Sequence, residues 1–147
     1  MNILRCSFRK RSFFGGNEVY LLDTNIFLEV ILNREYSKVV QDLLNRDTAI
    51  AFFVSDFSIY SIGIFFVRRH LPDQLGTFID DLEMRDIRTV SLSNDELKQV
   101  PHWCKRYGMD FDDAYQYTVA DRYRLKLVSL DHDFDRIPQG RIHPKDI

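Results

Sequence analysis

Short apolar runs alternate along the chain with segments in which apolar side chains recur every three or four positions. The runs have the length of buried strands and lie at 19–22, 50–54, 88–92 and 126–129. The intervening spacing predicts helices, the longest over 55–70 and 111–124. Strands that alternate with helices predict an α/β fold, a three-layer α/β/α sandwich around a mainly parallel central sheet of four or five strands.

Residues with characteristic roles at helix ends mark several boundaries. Ser93 and Glu96 have the spacing of a capping box, in which each side chain accepts a backbone N–H at the start of a helix. Pro72 suits the first turn of another helix, and Gly108 suits the residue that follows a helix end. Pro101 should kink the helix that continues to Tyr107.

The two ends of the chain differ from the middle. Residues 1–18 contain four basic side chains and two consecutive glycines and show no clear period, which predicts a basic N-terminal extension. Residues 19–147 then form a single domain, because no linker or repeat divides them. The last segment, 141–147, has room for a short edge strand before Pro144.

The composition is that of a globular domain with a packed interior. The 147 residues are 45% hydrophobic and 29% charged, which is ordinary for one domain of this size. The net charge of −2 excludes a protein that holds nucleic acid through overall basicity. An acidic site surrounded by basic residues remains compatible with this charge.

Cysteine usage and the apolar stretches bear on location. Cys6 and Cys104 are far apart and lack neighbours at zinc-ligand spacing, so neither a zinc site nor a disulfide framework is indicated. The longest apolar stretch, 57–67, is too short to span a bilayer. We therefore expect a cytoplasmic protein with no membrane association.

Acidic residues follow two of the predicted strands and open a helix between them. Asp23 comes directly after the first strand, Asp112 and Asp113 begin a helix, and Asp131 and Asp133 follow the last strand. Because ligand sites in parallel sheets form at the carboxyl ends of the strands, these carboxylates can meet in one cleft. Converging carboxylates are typical ligands of hard divalent cations, which points to metal-assisted chemistry on phosphate esters.

Each acidic residue also has a simpler structural interpretation. Asp23, Asp112 and Asp113 can satisfy free N–H groups at helix starts. Asp131 and Asp133 can be turn residues. Capping, however, requires neither a preceding strand nor a particular order along the chain, so the joint order favours a shared site.

Three segments together resemble the PIN domain family, which includes the ribonuclease toxins of bacterial and archaeal toxin–antitoxin pairs. They are 22–25 (Leu-Asp-Thr-Asn), 112–114 (Asp-Asp-Ala) and 128–135 (Val-Ser-Leu-Asp-His-Asp-Phe-Asp). The resemblance spans about 19–144. It implies a Mg²⁺- or Mn²⁺-dependent endoribonuclease that hydrolyses single-stranded RNA.

The same resemblance assigns roles by position. It implies metal ligation by Asp23, Asp113 and Asp131, with Asp133 as a further catalytic carboxylate. Asn25 and Ser129 match the small polar residues that support the acidic groups. Thr24 and Asn25 would orient the metal ligands or the scissile phosphate.

One position departs from the family pattern. The family usually has a Glu six residues after a Ser such as Ser55, and this chain has Ser61 there. Asp56 or Asp112 could compensate for the missing carboxylate. Alternatively, the chain is a catalytically degenerate PIN module that binds RNA or a protein partner without cleavage. Phosphatases with a strand-end Asp nucleophile have a second Asp two residues later. This chain has Asn25 at that position, which argues against aspartyl-phosphate chemistry.

Partners also follow from the resemblance. It implies RNA as the substrate, an antitoxin protein as a possible partner, and a homodimer. The contact face of the dimer could come from the apolar helices around 57–67 and 75–82, although burial within the domain explains these helices equally well. RNA binding would require a basic rim. Its candidates are Arg34, Lys38, Arg68, Arg69, His70, Arg122, Arg124, Arg136 and Arg141.

Overall fold

The computed structural model describes residues 18–46 and 50–147. Within them, four strands form one all-parallel sheet in the order β3–β2–β1–β4. The strands are β1 Glu18–Leu22, β2 Ile50–Ser55, β3 Arg88–Val90 and β4 Lys126–Val128. The predicted α/β class and parallel sheet are therefore confirmed, and β1 lies between two hydrogen-bonded neighbours.

Helices connect the strands and cover both faces of the sheet. They are α1 Thr24–Ile31, α2 Ser37–Leu44, α3 Asp56–Arg68, α4 Gln74–Met84, α5 Asn94–Leu97, α6 Val100–Tyr107 and α7 Phe111–Tyr123. Two short 3-10 helices, His132–Arg136 and Pro144–Asp146, follow β4.

Successive side chains of β1 feed two separate cores because they point to opposite faces of the sheet. Tyr20 and Leu22 pack with side chains from α1, α2, α3 and α4. Leu21 packs on the other face with side chains from α6 and α7. All seven residues of α7 from Ala114 to Ala120 are buried. The two cores confirm the predicted three-layer arrangement.

Three predicted boundaries differ from the structure. Pro101 lies in the first turn of α6 instead of kinking a longer helix, because α5 has already ended at Leu97 and a first-turn residue needs no N–H donor. Pro72 precedes α4 and lies in the turn before it. The predicted tail strand is reduced to one parallel bridge between Ile142 and Val128.

The capping box and the helix stop are where they were predicted. Ser93 and Glu96 make both reciprocal bonds at the start of α5. Gly108 follows α6 with φ of 63°, a left-handed conformation that glycine adopts without strain. Residues 1–17 of the predicted extension lie outside the described residues, and Glu18 is the first residue of β1. In the ranges that are described, no helix has the length and apolar character needed to cross a bilayer.

Candidate metal centre at the carboxyl edge of the sheet

The carboxyl ends of β1 and β4 lie side by side, as expected for neighbouring parallel strands. Leu22 pairs with Val128, and the backbone N–H of Asp23 donates to the carbonyl of Val128 at 3.0 Å. This pairing places Asp23 next to Ser129, although the two residues are 106 positions apart. The start of α7 completes the edge and carries Asp113 in its first turn.

Asp23 is buried, and its carboxylate is surrounded by donors. It is 6% exposed and is the N-cap of α1. Its Oδ1 accepts from the backbone N–H of Thr24 at 2.7 Å, and its Oδ2 accepts from Asn25 Nδ2 and Ser129 Oγ, each at 2.7 Å. The capping interpretation is thus correct for Asp23, and the same carboxylate also belongs to the acidic site.

Burial dominates the electrostatics of Asp23. Removal from water raises its pKa to about 6, the bonds from Ser129 and Thr24 oppose the rise, and the negative charges of Asp131 and Asp112 add to it. The coupling to Asp131 and Asp112 shows that the three carboxylates share one electrostatic environment.

Ser129 joins the two strand ends through its hydroxyl. Besides donating to Asp23, its Oγ accepts from the backbone N–H of Asp131 at 2.9 Å and from Asn25 Nδ2 at 3.0 Å. The Oδ1 of Asn25 in turn accepts from the backbone N–H of Leu130 at 3.2 Å. Asn25 and Ser129 therefore connect the Asp23 carboxylate to the loop that carries Asp131.

Three carboxylates form a group that could hold a metal ion. One oxygen from each of Asp113, Asp131 and Asp133 lies within 4.8 Å of the other two. Asp131 caps the 3-10 helix by accepting from the backbone N–H of Asp133 at 2.8 Å. Ligands of Mg²⁺ at about 2.1 Å stand at most about 4.2 Å apart, so small side-chain rotations would suffice.

The charge balance of this group also fits a cation. The pKa of Asp113 rises to about 7, first because the group is partly buried and then because of the negative charges of Asp112, Asp131, Asp23 and Asp110. Arg136 is the cation paired with Asp133, at 2.9 Å. Oxygen ligands that repel one another in this way suit Mg²⁺ or Mn²⁺. Asp23 is not among the three carboxylates within 4.8 Å of one another, but its charge contributes to the raised pKa of Asp113.

The two acids that could compensate for Ser61 lie in different surroundings. Asp56 Oδ1 accepts from Tyr115 Oη at 2.6 Å and from the backbone N–H of Phe57 at 2.8 Å, so it ties the start of α3 to α7. Asp112 is exposed, and its charge contributes to the raised pKa of both Asp23 and Asp113. Of the two, Asp112 belongs to the acidic field.

Sequence reasoning did not identify Gln116, which is 1% exposed. Its Nε2 donates to Ser58 Oγ at 2.6 Å, to Asp23 Oδ1 at 3.3 Å and to Thr24 Oγ1 at 3.4 Å. The hydroxyls of Thr24 and Ser58 are themselves 2.8 Å apart. A signal was present, because a Gln three residues after Asp113 lies on the same helix face as that acid.

Several of the predicted basic rim residues are engaged in ion pairs within the protein. Arg141 is 10% exposed, donates to the carbonyl of Ser129 at 3.0 Å and pairs with Asp135 at 3.0 Å. Arg136 pairs with Asp133, and Arg122 pairs with Glu96. Arg141 therefore fastens the loop that carries Asp131 and Asp133.

The sequence and the fold of this chain were compared with those of known proteins. The family model described as "PIN domain" matches residues 20–140. No curated protein matches the sequence.

Several solved structures share the fold. A chain from a toxin–antitoxin complex of Klebsiella pneumoniae is 22% identical with a TM-score of 0.64, and the match covers 87% of this chain and 99% of that chain. VapC20 of Mycobacterium tuberculosis, described as a toxin that cleaves the sarcin–ricin loop, is 14% identical with a TM-score of 0.69 and coverages of 86% and 100%. A chain of VapBC2 from Rickettsia felis, in a structure bound to a DNA fragment from its promoter, is 17% identical with a TM-score of 0.64 and coverages of 84% and 96%.

Proposed function

Because the chain belongs to the PIN domain family, we propose that it is a Mg²⁺- or Mn²⁺-dependent endoribonuclease that hydrolyses phosphodiester bonds of single-stranded RNA. The observation that supports this proposal most directly is the convergence of Asp113, Asp131 and Asp133 within 4.8 Å at the carboxyl edge of the sheet. Capping accounts for the closeness of Asp131 to Asp133, but it gives no reason for Asp113, on a different element, to meet them there.

Asp113, Asp131 and Asp133 are the residues that would hold the cation. A divalent cation bound there would lower the pKa of a bound water, which could then attack the phosphorus atom, and would neutralise charge on the phosphate oxygens. Asp23 is the fourth carboxylate of the site. Its charge contributes to the raised pKa of Asp113, and its donors hold it in one orientation.

Thr24 and Asn25 have supporting roles in this proposal. Asn25 orients Asp23 and Ser129, and the Thr24 hydroxyl contacts Ser58 at the start of α3. RNA would approach the exposed side of the acidic group, where Asp133 and Arg136 lie at the surface. Arg136 could exchange its ion pair with Asp133 for a contact with the RNA backbone once a cation occupies the site.

We further propose that the chain is the toxin of a toxin–antitoxin pair and acts in the cytoplasm, where its RNA substrates are. The structural relatives from Klebsiella pneumoniae and Rickettsia felis come from toxin–antitoxin complexes. Tyr60, Ile64 and Val67 form an exposed apolar stripe on α3, each at least half exposed. Because exposed apolar surface often marks an interaction site, the stripe is a candidate contact surface for a protein partner, either the antitoxin or a second copy of the chain.

The second candidate function is a PIN module that binds RNA or a protein without cutting it. Ser61 favours it, because the family pattern has a Glu at that position. The two functions differ in whether the acidic group, with a bound cation, cleaves the RNA.

The deciding experiment compares cleavage of unstructured RNA by wild type and Asp113→Asn with Mn²⁺ present. Cleavage by wild type that is lost in the variant supports the enzyme. Equal cleavage by both points to a contaminating nuclease, and RNA binding without cleavage favours the module. Coexpression with the product of a neighbouring small reading frame, followed by a growth assay, tests the toxin assignment.

A further inference from the structure

We propose that Gln116 is a positioning residue of the metal site, which locks the helix that carries Asp113 onto Asp23. The inference deepens the proposed function and rests on it. Gln116 Nε2 reaches oxygens of Asp23 and Thr24, where β1 leads into α1, and of Ser58 on α3. Among residues 18–46 and 50–147, no other hydrogen-bond donor on α7 contacts the Asp23 carboxylate.

The position of Gln116 on α7 explains why this link matters. Asp113 and Gln116 are three residues apart, so their side chains leave the same face of the helix about one turn apart. The 2.6 Å bond from Gln116 to Ser58 Oγ therefore fixes the rotation and depth of the turn that presents Asp113. The longer contact from Gln116 to Asp23 fixes the position of Asp113 relative to Asp23.

The energetics of Gln116 argue against a purely structural role. Its Oε1 is buried and has no hydrogen-bond partner among the described residues. A buried polar atom without a partner lowers stability, and a leucine of similar size would avoid that loss, although it would also remove the Nε2 bonds to Asp23, Thr24 and Ser58. The reverse orientation of the amide would turn Oε1 toward the Asp23 carboxylate, so the donor arrangement is the attractive one.

The neutral charge of Gln116 suits the place it occupies. A carboxylate at this position would add to the repulsion among Asp23, Asp113 and Asp131, and a lysine would compete with the cation for them. An amide donates to the acidic group without altering its charge. With Ser58 and Thr24 it forms a neutral polar layer beneath the carboxylates, in a chain that has Ser61 at the position where the family pattern has Glu.

The test compares Gln116→Leu with the matched control Thr118→Val in the full chain. Thr118 is also a buried polar residue of α7, but its Oγ1 donates to the Ala114 carbonyl of its own helix. Two quantities are measured for each protein: the metal-free melting temperature, and the dissociation constant of Mn²⁺ by titration calorimetry. A third readout is the side-chain amide resonance of Gln116, assigned by its loss in Gln116→Leu, during a Mg²⁺ titration.

For Gln116→Leu, we expect a metal-free melting temperature close to that of wild type, because the lost Nε2 bonds and the removed unpaired Oε1 have opposite effects on stability. We expect a Mn²⁺ dissociation constant about 10–100-fold larger, the usual effect of losing a residue that supports metal ligands. Thr118→Val should bind Mn²⁺ as wild type does. In wild type, the Gln116 amide resonance should shift as Mg²⁺ binds. Ser58→Ala, which removes one acceptor of Gln116, should weaken Mn²⁺ binding in the same direction by less.

Three results would overturn the inference. Equal Mn²⁺ affinity in wild type and Gln116→Leu would remove it and leave the proposed function intact. A Gln116→Leu protein that melts well below wild type, or does not fold, would show that Gln116 serves stability. Absence of Mn²⁺ binding by wild type would remove the proposed metal-dependent function and this inference together.

Discussion

Ser129 Oγ donates to Asp23 Oδ2 at 2.7 Å, and this bond joins the ends of two neighbouring strands. The same oxygen accepts from the backbone N–H of Asp131. One hydroxyl thus orients a buried carboxylate and the loop that presents two further carboxylates. The acidic site is therefore one connected polar network, and a change at its centre should affect all of its members.

Replacing Ser129 by alanine should impair both function and folding. The variant leaves Asp23 with one donor fewer and the Asp131 N–H without its acceptor, so we expect about 10–100-fold weaker Mn²⁺ binding and RNA cleavage. The free energy of unfolding should fall by about 1–3 kcal/mol. Chemical denaturation and calorimetry measure the two effects. Ser91→Ala, an exposed serine after β3, is the control and should change neither.

Metal binding should stabilise the folded chain. A ligand present at 100 times its dissociation constant adds about 2.7 kcal/mol, which raises the melting temperature of a domain of this size by about 5–10 °C. Thermal denaturation with and without Mg²⁺ or Mn²⁺ tests this expectation. Asp113→Asn should abolish most of the rise. If millimolar Mg²⁺ or Mn²⁺ leaves the melting temperature of wild type unchanged, the proposed site is contradicted.

The metal-free protein should lose stability as the pH rises from 5 to 8. Asp23 and Asp113 have pKa values of about 6 and about 7, whereas an unfolded aspartate titrates near pH ~4. Between these limits the folded state holds protons that the unfolded chain has released, so the free energy of unfolding falls with rising pH.

The comparison with Asp113→Asn isolates this effect. The lowered pKa of His143 acts in the opposite direction near pH 6, and both proteins share it. The variant should melt at a higher temperature than metal-free wild type at pH 8, and the difference should shrink toward pH 5. A difference that stays constant from pH 5 to pH 8 would show that Asp113 does not titrate in this range.

Removing the Arg141 side chain should loosen the loop that carries Asp131 and Asp133. Its guanidinium contacts the Ser129 carbonyl and Asp135, and no other described arginine makes these bonds. We expect Arg141→Ala to weaken Mn²⁺ binding by about 10-fold, with backbone amide shifts limited to residues 129–136 and the immediate neighbours of residue 141. Arg68→Ala, an exposed arginine at the end of α3, is the control for loss of one positive charge.

The strands and most helix ends could be predicted from the sequence because they depend on local patterns, and the meeting of the acidic residues followed from the geometry of a parallel sheet. Apolar runs predicted the four strands, and Ser93, Glu96 and Gly108 predicted helix ends through interactions within a few residues. The parallel sheet then required Asp23 and Ser129 to lie at one edge.

The contacts that organise the site could not be predicted, because they join residues far apart in the sequence. Gln116 meets Asp23 across 93 positions and Ser58 across 58, and nothing in the local sequence specifies either contact. Arg141 was a candidate for RNA binding on charge alone, and only the fold shows that it is engaged with Ser129 and Asp135. The break between α5 and α6 was missed because Pro101 is compatible with both a kink and a helix start.

The carboxylates rest on supports of unequal rigidity. Asp23 ends a strand that is bonded on both sides, whereas Asp131 and Asp133 belong to a short turn beyond β4, whose outer edge is met by the single bridge to Ile142. Substitutions in that turn can therefore adjust how tightly the cation is held without endangering the sheet. If the chain cleaves RNA as proposed, a lineage could silence or restore that activity there in a few steps while keeping the same folded scaffold.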